Sequence, residues 1–245
     1  DICLLTMEAF KHRLCPSFSG TIQMLAILHD RRGFCLQETV ELILQSVCKW
    51  VGAEQLLDLV PLRLVDSGIT KNGWLIGVLN KGIFNDRLSV FKTRLLPTAQ
   101  QLSNKAEQAR LASREGEAKI LDTVASQLLN TIHGFLKYPT DFQLEFDDGF
   151  AAQLAAWMTG TPQLRAAICN GIADFIFNMA DFSMLAGDDA LYFPRGFANE
   201  QAEMNHALFR ERFASKFLPC LFNIAITSEC EERSFVLRCC EAVLS

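Results

Sequence analysis

The sequence predicts an all-α fold in which amphipathic helix pairs stack side by side as an α-solenoid. Apolar residues recur at i, i+3, i+4 and i+7 over most of the chain. Clusters of Gly, Pro, Asn and Asp interrupt that rhythm at intervals of helix length. No segment sustains period-two alternation between hairpin turns, so strands are not needed.

The first two predicted helices cover residues 1–13 and 18–30, parted by the breaker Cys15-Pro16-Ser17. Next, Val40, Ile43, Leu44, Val47, Cys48 and Val51 form an apolar stripe, with Glu38, Glu41, Gln45 and Lys49 on the opposite face. A short helix is expected over 54–60, then the turns Asp66-Ser67-Gly68 and Lys71-Asn72-Gly73, then helices over 73–80 and 87–112. Leu121, Val124, Ala125, Leu128, Ile132, Phe135 and Leu136 read as one continuous stripe ending at Tyr138-Pro139-Thr140-Asp141. A helix over 148–159 stops at Gly160, and Thr161-Pro162 starts another whose stripe is Leu164, Ile168, Ile172, Phe175, Ile176 and Met179, proline being suited to a first helical position. From about Ser183 to Ala198 the chain is irregular, with Gly187, Asp188, Asp189, Pro194, Arg195 and Gly196. A stretch that long reads as an insertion projecting from the body. Helices over 199–225 and 229–243 complete the prediction.

Two apolar residues precede a proline three times, at Leu59-Val60-Pro61, Leu95-Leu96-Pro97 and Phe217-Leu218-Pro219. Read as prolines inside helices, they are 36 and 122 positions apart, the second close to three units of about 41, in the range of HEAT and armadillo repeats. Three unrelated kinks are the alternative. On this reading residues 1–245 are one continuous HEAT/armadillo-like segment. The chain starts at Asp1 with no basic stretch leading into an apolar one, so it is expected to be a fragment of a longer protein.

Composition narrows the function. Half of the residues are apolar and 21% are charged, ample for a buried core. No apolar run approaches the roughly 18 residues that a bilayer requires. The net charge of −5 argues against this segment being a main nucleic-acid grip. Nine cysteines among apolar neighbours, an odd number, fit a reducing compartment better than a disulfide framework.

Chemistry is sparse. No Cys-x-x-Cys occurs, and Cys220, Cys230, Cys239 and Cys240 are expected to be buried helical thiols. His12, His29, His133 and His206 are dispersed and are expected at surface or boundary positions. Gly73, Gly77 and Gly82 follow no strand that would aim amides at a phosphate, and Gly187-Asp188-Asp189 reads as a solvated turn. Asp147 and Asp148 precede an apolar run and read as a helix cap. No convergent Ser, Cys, His and Asp set is present, so neither enzyme activity, nor a cofactor, nor a small-molecule substrate is expected.

One stretch suggests contact. Arg87, Lys92, Arg94, Lys105, Arg110, Arg114 and Lys119 stand against Glu107, Glu115 and Glu117, a local charge of +4 in an acidic chain. These seven cations are the candidate contacts for RNA phosphates or an acidic partner. A solvated helix face is the competing reading, because no aromatic residue follows Phe91 in the stretch to serve base stacking.

A series of segments resembles the ribosomal RNA-processing protein 12 family. It includes Leu56-Leu57-Asp58-Leu59-Val60-Pro61-Leu62, Trp74-Leu75-Ile76, Arg87-Leu88, Phe91, Leu95-Leu96-Pro97 and Lys105-Ala106. The strongest block is Glu117-Ala118-Lys119-Ile120-Leu121-Asp122-Thr123 with Gln127, followed by Gly134-Phe135 and Pro139-Thr140-Asp141. Gln163-Leu164-Arg165 and Phe217-Leu218-Pro219, with Leu221-Phe222-Asn223, continue it in order. Gly77 stands where the family usually places proline, the 183–198 loop departs from its pattern, and residues 1–50 match only in helical character. The resemblance implies a non-catalytic HEAT-repeat scaffold in assembly of pre-ribosomes, chiefly the small subunit. It implies pre-rRNA and assembly proteins as partners, residence in nucleolus and nucleus, and a part in subunit export. The family's looser kinship to importin-like transport factors supplies a second expectation, an adaptor binding the Ran GTPase or other transport factors.

Overall fold

The computed structural model describes residues 14–64, 72–182 and 193–245, and every regular element among them is helical. They are α1 (Leu14–His29), α2 (Gln37–Val51), α3 (Ala53–Leu59), α4 (Leu75–Gly82), α5 (Leu88–Val90), a π-helical turn (Phe91–Leu95), α6 (Leu96–Leu111), α7 (Glu115–Asn130) and α8 (Ile132–Phe135). There follow α9 (Phe142–Glu145), α10 (Asp148–Gly160), α11 (Pro162–Ala180), α12 (Asn199–Leu208), a second π-helical turn (Phe209–Phe213), α13 (Ala214–Thr227) and α14 (Cys230–Leu244). The chain divides into two compact units, the first comprising residues 1–84 and 92–134 and the second residues 85–91 and 135–245.

In the first unit the predicted stripe of α2 is buried at Val40, Ile43, Leu44, Val47 and Cys48, while Val51 is half-buried and Trp50 is buried in addition. They pack against Leu75, Ile76, Val78 and Leu79 of α4. Gly82 is where the two backbones meet, since a Cβ there would lie 2.8 Å from the Gln45 carbonyl oxygen and 2.9 Å from Cys48 Cβ. Gly52, at φ 107°, lets α2 pass into α3 through a single residue, a conformation a side chain disfavours. Helices α6 and α7 form an antiparallel hairpin across Ala112–Arg114. Their facing stripes are rich in alanine, with Ala99, Ala106 and Ala109 from one and Ala118 and Ala125 from the other, so the helices approach closely.

The second unit is organised around phenylalanine. Phe142 stacks on Phe146 at 4.6 Å between ring centroids and on Phe175 at 4.3 Å. Phe146 meets Phe213 edge-on at 4.9 Å, and Phe209 continues the chain of rings to Phe217. Ile168, Ile172 and Ile176 of α11 complete this core, and α14 packs along α11. At the start of α10, Asp147 accepts the Phe150 backbone N–H at 2.8 Å, the predicted cap.

Several expectations change. Pro16 lies within the first turn of α1 and does not break the chain, because a first-turn proline removes a donor that has no helical acceptor. The single stripe over 121–136 is interrupted at Thr131, whose hydroxyl donates to the Leu128 carbonyl at 2.6 Å, local competition that ends a helix. Its apolar residues stay buried on both sides of the break. Pro61 follows α3 and is not inside a helix, whereas Pro97 and Pro219 lie inside unbroken helical runs, residues 88–111 and 199–227. The latter two each follow a π-helical turn of related sequence, Phe-Lys-Thr-Arg-Leu and Phe-Arg-Glu-Arg-Phe. The described end of the irregular loop is packed, with Phe193 and Phe197 against Tyr138 and Phe182 at 4.8 to 5.9 Å. The expected helix over 1–13, the turn Asp66-Ser67-Gly68 and Gly187-Asp188-Asp189 lie outside the described residues.

Candidate partner-binding surface

Six of the seven candidate cations, Lys92, Arg94, Lys105, Arg110, Arg114 and Lys119, belong to the first unit, and Arg87 belongs to the second. Lys92 and Arg94 ride the π-helical turn, Lys105 and Arg110 lie on α6, Arg114 ends the hairpin loop and Lys119 is on α7. All are exposed except Lys92, which is half-buried. Arg94 pairs with Asp58, Arg110 pairs with Asp122 across the hairpin, and Arg114 pairs with Glu117 at 2.7 Å. Asp58 and Asp122 lie outside the basic stretch in sequence, so folding returns negative charge to it and weakens its field. Surface pairs contribute about 0–1 kcal/mol, so they hold these cations only weakly. Lys92 to Lys119 contains no aromatic residue and so offers no base-stacking platform of its own.

The histidine expectation fails at His29. Its side chain is buried, stacks on Trp74 at 3.8 Å and meets Glu41 at 3.1 Å, while Trp74 Nε1 donates to Asp30 at 2.9 Å. Helical periodicity offered no sign of this, because Trp74 is 44 positions away from Asp30 in sequence. His206 is half-buried, and burial followed by the charge of Arg210 pushes it below the usual imidazole range.

The cysteine expectation holds at Cys239 and Cys240 and is not met at Cys220, which is only half-buried. Cys169 of α11 and Cys239 and Cys240 of α14 are buried free thiols, whereas Cys220 is half-buried and Cys35 exposed. A hydrogen bond with Cys169, then burial, push the Cys239 thiol up, which disfavours the reactive thiolate. No group of three His, Cys, Asp or Glu among the described residues is placed to hold a metal. No helix among them is long and apolar enough to cross a membrane.

Two polar constellations in the second unit fix geometry. Asn85, fully buried at φ 50°, donates from Nδ2 to the Tyr138 carbonyl at 3.1 Å, and its own side-chain oxygen accepts the Arg195 backbone N–H at 3.1 Å. Arg195 Nε also donates to the Asn85 carbonyl, and Asp86 lies 3.8 Å from it, so the loop end is riveted to the start of α5. Asp141 accepts the Leu88 and Ser89 backbone N–H groups at 2.6 and 3.0 Å, capping α5 from 52 or more positions away. On the surface, Arg212 at 2.8 Å and Lys216 both contact Asp148. Their hydrogen bonds hold its carboxyl at about 2.

Sequence reasoning missed a groove of about 420 Å³ between α9 and α12, lined by Gln143, Leu144, Gln201, Met204 and Asn205 among others. Helix α9 has only four residues, too few for periodicity to announce.

Residues 1–228 match the family model described as ribosomal RNA-processing protein 12, HEAT repeats. The match reaches residue 1, so residues 1–50 carry more family character than helical periodicity alone. Over 242 residues the chain is 26% identical to a human RRP12-like protein and 29% identical to the chicken one, each alignment covering 89% of this chain and 17% of the relative. It is 20% identical over 240 residues to ribosomal RNA-processing protein 12 of Saccharomyces cerevisiae, covering 96% of this chain and 19% of that protein. The chain thus spans less than a fifth of the length of these curated relatives.

Proposed function

The chain belongs to the ribosomal RNA-processing protein 12 HEAT-repeat family, and from that premise we propose that it is a non-catalytic scaffold segment of a ribosome-biogenesis factor. The observation that carries the reading is the family match over residues 1–228 on a chain whose regular elements among the described residues are all helical. Helical repeats bury apolar stripes against their neighbours and leave long faces for several partners. The partners proposed are pre-rRNA and assembly proteins of the small subunit, met in the nucleolus and nucleus, with a part in subunit export. The cations from Lys92 to Lys119, all exposed but the half-buried Lys92, serve as phosphate contacts, with Arg87 a further one on the second unit. No observation favours the importin-like alternative.

Affinity purification of the full-length protein, followed by sequencing of the bound RNA, tests this. Small-subunit rRNA precursors and assembly factors are the expected cargo. Recovery without pre-rRNA, or with Ran and transport cargo in its place, would overturn it.

A further inference from the structure

In the second unit, Leu144 on α9 is 83% exposed and Met204 on α12 is 54% exposed. Both line the same groove. Amides lie with them: Gln143 Nε2 donates to Asn205 Oδ1 at 3.2 Å, and Gln201 Nε2 donates to the Thr140 carbonyl at 3.0 Å. Asn205 also lines the groove and is fully buried, yet its Nδ2 has no hydrogen-bond partner. A buried donor without an acceptor is costly and uncommon in folded proteins, and a carbonyl seated in the groove would supply the acceptor.

Charge selects among occupants. Asp141 lines the groove and no Lys or Arg does. Glu200, one helical turn before Met204, and Glu203 beside it are both exposed. Such carboxylates repel nucleic-acid phosphates and attract a basic side chain. Apolar flanks, amide hydrogen bonding and acidic surroundings together complement an extended polypeptide.

We propose that the α9–α12 groove docks an extended peptide segment of a partner protein. That segment carries an apolar side chain for Leu144 and Met204, a main-chain carbonyl for Asn205 and a Lys or Arg for the surrounding acids. The inference deepens the scaffold reading and rests on it for the source of the segment, a protein of the same particle.

The full-length protein carrying a benzophenone amino acid at Leu144 or Met204, or at Leu111 as an equally exposed control, is irradiated in native particles. Cross-linked peptides are identified by mass spectrometry. The captured segment is then synthesised and its affinity for the full-length protein measured by fluorescence anisotropy. Both groove positions, and not Leu111, are expected to capture one segment with an apolar residue next to a basic one. Leu144→Glu should weaken that peptide by roughly tenfold or more. Asn205→Leu should weaken it as well, read at a temperature where the variant is folded. Capture of RNA, capture no greater than at Leu111, or a peptide indifferent to Leu144→Glu overturns the proposal. Pre-rRNA in the same particles reads the scaffold role separately: present with an unlabelled groove, it overturns the groove alone, and absent, it overturns the scaffold reading and the groove's partner with it.

Discussion

Asp148 shows how a single exposed carboxylate is set by its neighbours. Arg212 and Lys216 hold its pKa at about 2, below the usual value near 3.9. A depressed carboxylate contributes stability that is present above its unfolded pKa and lost as pH falls through the folded one. The window therefore lies between about pH 4 and pH 2, and a side-chain carboxyl NMR titration should place the Asp148 midpoint near the lower end. Replacing Arg212 and Lys216 with Met should return it toward an ordinary carboxylate, and an unchanged midpoint would refute the pairing. Ser113, at φ 59°, ends α6 with the Arg114 N–H bonded to the Ala109 carbonyl at 2.8 Å, a position that glycine suits better. Ser113→Gly should stabilise the chain by about 0.5–1 kcal/mol in denaturant unfolding. Asp147→Ala should remove the cap of α10 and cost about 1 kcal/mol by the same measurement.

Among the elements, long amphipathic helices were legible and short ones were not. Periodicity over α2 and α11 named the buried residues, because tertiary packing uses the same stripe that the sequence presents. Helix α9 and the break at Thr131 depend on a few local hydrogen bonds. The two π-helical turns give no apolar rhythm of their own, though each carries Phe, a base, a third residue, Arg and an apolar residue. Site geometry was least legible: the basic stretch could be counted, but the return of Asp58 and Asp122 upon it is a tertiary fact. The meeting of α2 and α4 at Gly82 is likewise invisible to periodicity. Since one obstruction is backbone, the Gln45 carbonyl, Gly82→Ala should cost about 1–3 kcal/mol in thermal unfolding. Gly77 is the matched control, because a Cβ there meets nothing within 4 Å.

For the molecule as a whole, the physical claim is that helices bury their stripes against neighbouring helices within each unit, which leaves the outward faces for partners. Arg94, Arg110 and Arg114 of the first unit and Arg212 and Lys216 of the second are paired with carboxylates at the surface. Crosslinking of native pre-ribosomal particles captured through the full-length protein, with adducts mapped onto residues 14–245, tests this most directly. RNA adducts among Lys92, Lys105 and Lys119 and protein adducts on the exposed helix faces are the expected result. Particles that carry the protein but show no adduct to any pre-ribosomal component on these residues would contradict it.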